Sequence, residues 1–140
     1  MIKQDIELER IGWHVSVYYA VDQYYADEII DVLIRTGCRG KQLTAAKRNL
    51  WSGKLDGGLT FANADIKEAV MVIGLTSSAS QHANSTFHEQ MHLMAYIADS
   101  LGLDPYGEEI CYIGGELAQK MHSITRLFEC DCCRKKVLGR

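Results

Sequence analysis

Apolar and polar positions alternate from Trp13 to Val21. Trp13, Val15, Val17, Tyr19 and Val21 fall on one side, and His14, Ser16, Tyr18 and Ala20 on the other. A period of two in residues rich in β-formers predicts a strand, with His14 facing solvent. Residues 2–11 fit either a short strand or a helical turn. Asp22 is a capping residue for a helix reaching Thr36, with Tyr25, Ile29, Val32 and Leu33 on its buried side and Gly37 as its stop. Leu43, Ala46, Leu50 and Trp51 recur at helical spacing and predict a second helix over residues 41–51. Ser52-Gly53 and Gly57-Gly58 mark turns, Leu59-Thr60-Phe61 a short strand. The unbroken apolar run over 69–74 predicts a strand buried on both faces.

The pattern then turns helical. Ser78-Ala79-Ser80-Gln81 has the form of a capping box, and Phe87, Met91, Met94, Ala98 and Leu101 form a stripe that Gly102 ends. Asp104-Pro105 suits the start of another helix, whose stripe is Ile110, Gly114, Leu117, Met121, Ile124 and Phe128. A short connection makes the two helices antiparallel neighbours. The prediction is a single α+β domain over residues 1–140, with a small sheet, covering helices and a basic, Cys-rich tail from about 129.

Composition narrows the classes. With 140 residues, 47% of them apolar and 24% charged, the chain suits one soluble core. A net charge of −3 argues against nucleic acid or an anionic membrane as partner; Arg134, Lys135, Lys136 and Arg140 read as a solvated basic tail. No apolar run is long enough to span a bilayer. The charged start, MIKQDIELER, is unlike an export signal, so the expected location is the cytoplasm, with all five cysteines reduced.

Against this background stands His88-Glu89-Gln90-Met91-His92, an H-E-x-x-H sequence inside the first of the two helices. Residues four apart share a helix face, so two imidazoles can hold one Zn²⁺ while the intervening Glu89 serves as general base. A third ligand is then needed. Glu108 and Glu109, in the first turn of the next helix, both qualify. Their competing reading is favourable charge at a helix N-terminus. His122 is about 21 Å along its helix from Glu108, and His82 about 9 Å from His88, too far to share the ion. Gly114-Gly115 in mid-helix suggests close approach of the two helices.

H-E-x-x-H followed by E-x-x-x-[DY] on the next helix resembles the gluzincin branch of the zincin metallopeptidases. The chain is similar also to small zincin-like proteins of phage and prophage type. Those carry a G-[FL]-T-[FY]-x-N segment, matched by Gly58-Leu59-Thr60-Phe61-Ala62-Asn63, and an E-x-x-x-Y-x-x-G segment, matched by Glu108 to Gly115. The resemblance covers about residues 58–118. It implies a zinc peptidase acting on a peptide or protein substrate. His88, His92 and Glu108 would be its ligands with Glu109 in reserve, and Glu89 its base. Tyr112, one turn past Glu108, would orient the ligand or donate to an oxyanion, or simply pack against the metal helix. It also implies that the strand near 69–75 borders the cleft and pairs with substrate through its edge, with the loop from Thr76 to Ser80 at the rim. The alternative is a non-catalytic module, such as a phage-particle component, stabilised by metal. Cys130, Cys132 and Cys133 form a dense thiol cluster that lacks the paired spacing of structural zinc. Neither Cys38 nor Cys111 has a histidine partner in sequence.

Overall fold

The computed structural model describes residues 1–55 and 57–139; Arg140, counted above in the basic tail, lies outside the described residues. Four strands form one mixed sheet: β1 (Ile2–Leu8), β2 (Trp13–Val21), β3 (Gly58–Asn63) and β4 (Glu68–Gly74), in the order β1-β2-β4-β3. β1 pairs antiparallel with β2, β2 parallel with β4, and β3 antiparallel with β4. Helices α1 (Ala26–Arg35) and α2 (Gly40–Trp51) make the crossover from β2. Helices α3 (Ala79–Leu101), α4 (Glu108–Thr125) and the short α5 (Asp131–Leu138) follow β4. The result is an α+β domain with helices on both faces of the sheet.

Each face has its own core. Trp13, Val15, Val17, Ala69, Met71 and Ile73 meet Leu93, Ile97, Ile113 and Leu117 of α3 and α4. Tyr18, Val70, Val72 and Phe61 meet Ile29, Leu33 and Leu50 of α1 and α2. The two-residue alternation of β2 fails near its end. Ala20 takes a positive φ of 56°, the register with β4 shifts between Tyr18 and Val21, and Val21 joins the second core instead of the first.

Two helix starts differ from the pattern. Asp22 caps a 3-10 turn over residues 23–25, accepting from Tyr24 N at 3.1 Å, and α1 begins only after it. Asp104 closes a turn by accepting from Tyr106 N at 2.9 Å, so α4 starts at Glu108 with Gly107 as its cap. The expected Cys-rich tail is helix α5, docked on the body of the domain. Trp51, expected inside, is half exposed.

Three of the five residues in the stripe expected to bury α3 are exposed: Phe87 at 64%, Met91 at 53% and Leu101 at 42%. The buried positions include His82, Ser85, Thr86, Glu89, Leu93, Met94, Ile97 and Ala98. The reason is that α3 packs two ways, on the sheet side through Glu89, Leu93 and Ile97, and on α4 through Gln90 and Met94. A single 3.6-residue stripe describes only a helix with one partner.

Candidate metal centre

α3 is held at its start by the anticipated cap: Ser78 Oγ accepts from Gln81 N at 3.2 Å. The return bond of Gln81 lands one residue earlier, on Ser77 N at 3.2 Å and Ser77 Oγ at 2.6 Å. Two and a half turns on, His88 and His92 stand exposed on one flank. Their Nε2 atoms are 3.1 Å apart and their rings 4.7 Å between centroids, inclined by 72°. Two Zn–N bonds of about 2.0–2.1 Å meeting at a tetrahedral angle set the nitrogens about 3.3 Å apart. The donor pair therefore fits the bite of one cation. The same separation also suits an N–H···N hydrogen bond between two neutral imidazoles.

Glu89 lies on the sheet side of the same turn and is 2% exposed. Thr60 Oγ1, on β3, donates to its Oε1 at 2.9 Å. β3 can come this close because residue 58 is glycine: a Cβ there would stand 2.2 Å from the Val72 carbonyl oxygen and 2.9 Å from Glu89 Cγ. Asn63, at the other end of the strand, donates from Nδ2 to Thr36 O at 2.8 Å and fixes β3 to the end of α1. The G-L-T-F-A-N segment thus seats the Glu89 carboxylate and ties down the strand that carries its partner. Gly58 and Thr60 sit two apart on one strand face, the only trace of this task in the sequence.

A cleft of about 840 Å³ opens beside the pair, walled by Gly57, Thr76, Ser77, Ser85, His88 and Glu89. A shallower hollow of about 310 Å³ shares His88 and is lined by His92, Phe87 and Met91. The free edge next to the cleft belongs to β3. β4, expected to offer that edge, is paired on both sides by β2 and β3, so it has no backbone groups left for a substrate.

The carboxylate expected to complete the centre does not arrive. A Cβ at Gly114 would meet Met94 Sδ at 3.4 Å, and Gln90 Nε2 donates to Met121 Sδ at 3.3 Å. α4 therefore runs antiparallel along the Gln90–Met94 flank of α3. His88 is two residues from Gln90, and His92 two from both Gln90 and Met94. Two residues turn an α-helix by about 200°, so the imidazoles point away from α4. Glu108, six residues before Gly114 and further from the imidazoles along the axis, is out of reach. Its reserve is engaged elsewhere: Arg10 Nε donates to Glu109 Oε1 at 2.8 Å, and this bond holds the Glu109 carboxyl below its ordinary range. The Arg10 guanidinium also covers the ring of exposed Tyr112, 4.9 Å from its centroid. Glu109 and Tyr112 thus tie the start of α4 to the β1–β2 turn. Among the described residues no group of three or more His, Cys, Asp or Glu side chains is placed to hold a metal ion.

The remaining histidines have other surroundings. His14 bonds Glu7 through Nδ1 and Asp5 through Nε2, the latter at 3.2 Å. His82 is buried against Phe128, rings 4.2 Å apart and 13° from parallel, and burial pushes its pKa down to about 4. No described helix is long and apolar enough to cross a membrane. Comparison with family models, curated proteins and solved structures gives no match.

Proposed function

We propose that the chain is a zinc-dependent, zincin-like peptidase in which His88 and His92 hold the cation and Glu89 is the general base. The observation that carries the reading is the pair of facing Nε2 atoms, 3.1 Å apart on an H-E-x-x-H helix, beside a cleft that reaches Glu89. A bound Zn²⁺ would supply acidification of water and polarisation of a carbonyl. The chain's own contribution is to seat the Glu89 carboxylate through Thr60, so that it can accept a proton and return it to the leaving amine. Exposed Phe87 and Met91 would give a peptide an apolar footing next to the imidazoles. The open edge of β3 would give it backbone partners.

The placement of Glu108 favours a second reading, a non-catalytic module whose metal serves binding or stability. Catalytic zinc ordinarily takes three protein ligands. A pair of imidazoles predicts weaker retention and easier removal by chelator.

One set of measurements separates the readings. Purified without chelator, the protein should carry about one equivalent of zinc, and His88→Ala or His92→Ala should lose it. Glu89→Gln should keep the metal and lower hydrolysis of unfolded casein by about a hundredfold or more. Zinc retention with no casein cleavage by the wild type would favour the module. No stoichiometric metal in the wild type would overturn both.

A further inference from the structure

The cysteines near the C-terminus have a geometry that the metal reading leaves unused. Cys130 is the N-cap of α5, in extended conformation at φ −134° and ψ 154°, and its Sγ accepts from Cys133 N at 3.2 Å. The cap bond brings Cys130 Sγ onto the backbone of Cys133, the third residue of the helix. Both thiols are exposed, as is Cys132. Cys132 is one position earlier on the helix, about 100° round from Cys133, and makes no part of this bond.

The mount is rigid. Arg134, the next residue, is 9% exposed and donates from Nη1 to Thr76 O at 2.9 Å and from Nη2 to Ser77 O at 2.7 Å. Asp131 accepts from Ala79 N at 2.9 Å through Oδ1. The thiol pair is thereby clamped to the start of α3. Cys130 also borders a cleft of about 730 Å³, walled by Phe87, Phe128, Ala83 and Ala118, which gives a small disulfide room to approach.

We propose that Cys130 and Cys133 form a dithiol site for exchange with small-molecule disulfides, with Cys130 the attacking sulfur and Cys133 the resolving one. The Cys130 thiolate attacks one sulfur of R–S–S–R, forming a mixed disulfide and expelling the other sulfur as a thiolate, which takes a proton from solvent. Cys133 then loses its proton to solvent and attacks Cys130 Sγ, expelling the second RS⁻. The protein gives up two electrons and two protons, and the small disulfide becomes two thiols. The division of roles follows the local bonds. The neighbouring Cys133 side chain first, and its backbone N–H at 3.2 Å second, lower the Cys130 pKa below the ordinary thiol range, while the Cys130 sulfur pushes Cys133 up.

The full-length reduced protein, incubated with oxidised glutathione and quenched with iodoacetamide, tests this by peptide mass mapping. The expected product is a Cys130–Cys133 disulfide. Cys133→Ser should accumulate the glutathione adduct on Cys130, and Cys132→Ser should behave as wild type. Cys130→Ser should slow first adduct formation about tenfold. A disulfide that maps to Cys132, or a Cys130→Ser rate matching the wild type, would overturn the proposal. Neither result depends on zinc or on casein cleavage.

Discussion

Gly58 and Glu89 are coupled by a lack of space. The strand and the helix approach so closely that a methyl group at Gly58 has a backbone oxygen at 2.2 Å and a side-chain carbon at 2.9 Å. The oxygen belongs to β4, whose pairing with β3 is the sheet itself, so the methyl cannot be accommodated by a rotamer change. Gly58→Ala is therefore expected to destabilise the fold by about 1–3 kcal/mol, the range for overpacking a close contact. Urea denaturation should show a lower midpoint with an unchanged slope. An alanine variant as stable as wild type would mean that β3 can move away from α3, and that the Thr60–Glu89 bond is not fixed by the strand. The Gly and Thr were visible in the sequence as a turn and a strand residue. Their joint service to Glu89 was not, because it depends on which helix face lies over which strand edge.

That dependence explains where the sequence reading of the elements stopped. The long strands and helices follow from periodicity to within a few residues at their ends, and the cap at Ser78 follows from side-chain chemistry; both are local. The partner of a helix flank is not local. The pattern puts Glu108 and Glu109 in the first turn of the right helix, but α4 lies on the Gln90–Met94 flank of α3 while the imidazoles occupy the opposite one. Nothing in a stripe of Met and Phe says which of two flanks meets the next helix. α5 is a second case: eight residues with three basic side chains resemble a solvated end, yet Arg134 is buried with two bonds to backbone carbonyls of the loop that rims the cleft. Arg134→Met keeps the apolar stem and removes both bonds. It is expected to cost about 2 kcal/mol, as charge-assisted bonds do, and to raise amide exchange over residues 76–82. Unchanged exchange there would show that α5 does not brace the rim.

For the molecule as a whole, two histidines in unlike surroundings set opposing pH dependences. His82 is buried, stacked on Phe128, with no hydrogen-bond partner for Nε2 among the described residues, and its pKa falls to about 4 through burial first and the nearby Arg134 charge second. Its value in an unfolded chain is about 6.5. Between those values the unfolded chain binds more protons than the folded one, so stability is lost as pH falls from about 6.5 toward 4, by about 3 kcal/mol across the window. His14 works the other way. Glu7 and Asp5 on β1 bond its two nitrogens and raise its pKa, with Ser16 beside it on β2 and Glu68 opposite it on β4. A raised imidazole pKa stabilises fully below about 6.5 and loses that contribution as pH climbs through the folded value. Stability should therefore peak near pH 6.5. The lowered carboxyl values of Glu109 and Glu116 add their own loss only below about 4.5, which leaves the stretch from 4.5 to 6.5 to His82. Urea midpoints taken from pH 4.5 to 8.5 should show His82→Phe flattening the acid limb and His14→Gln the alkaline one. An acid limb that stays as steep in His82→Phe would mean that the buried ring is already protonated in the folded state. The Phe128 stack and its missing partner would then have to be redrawn around a charge.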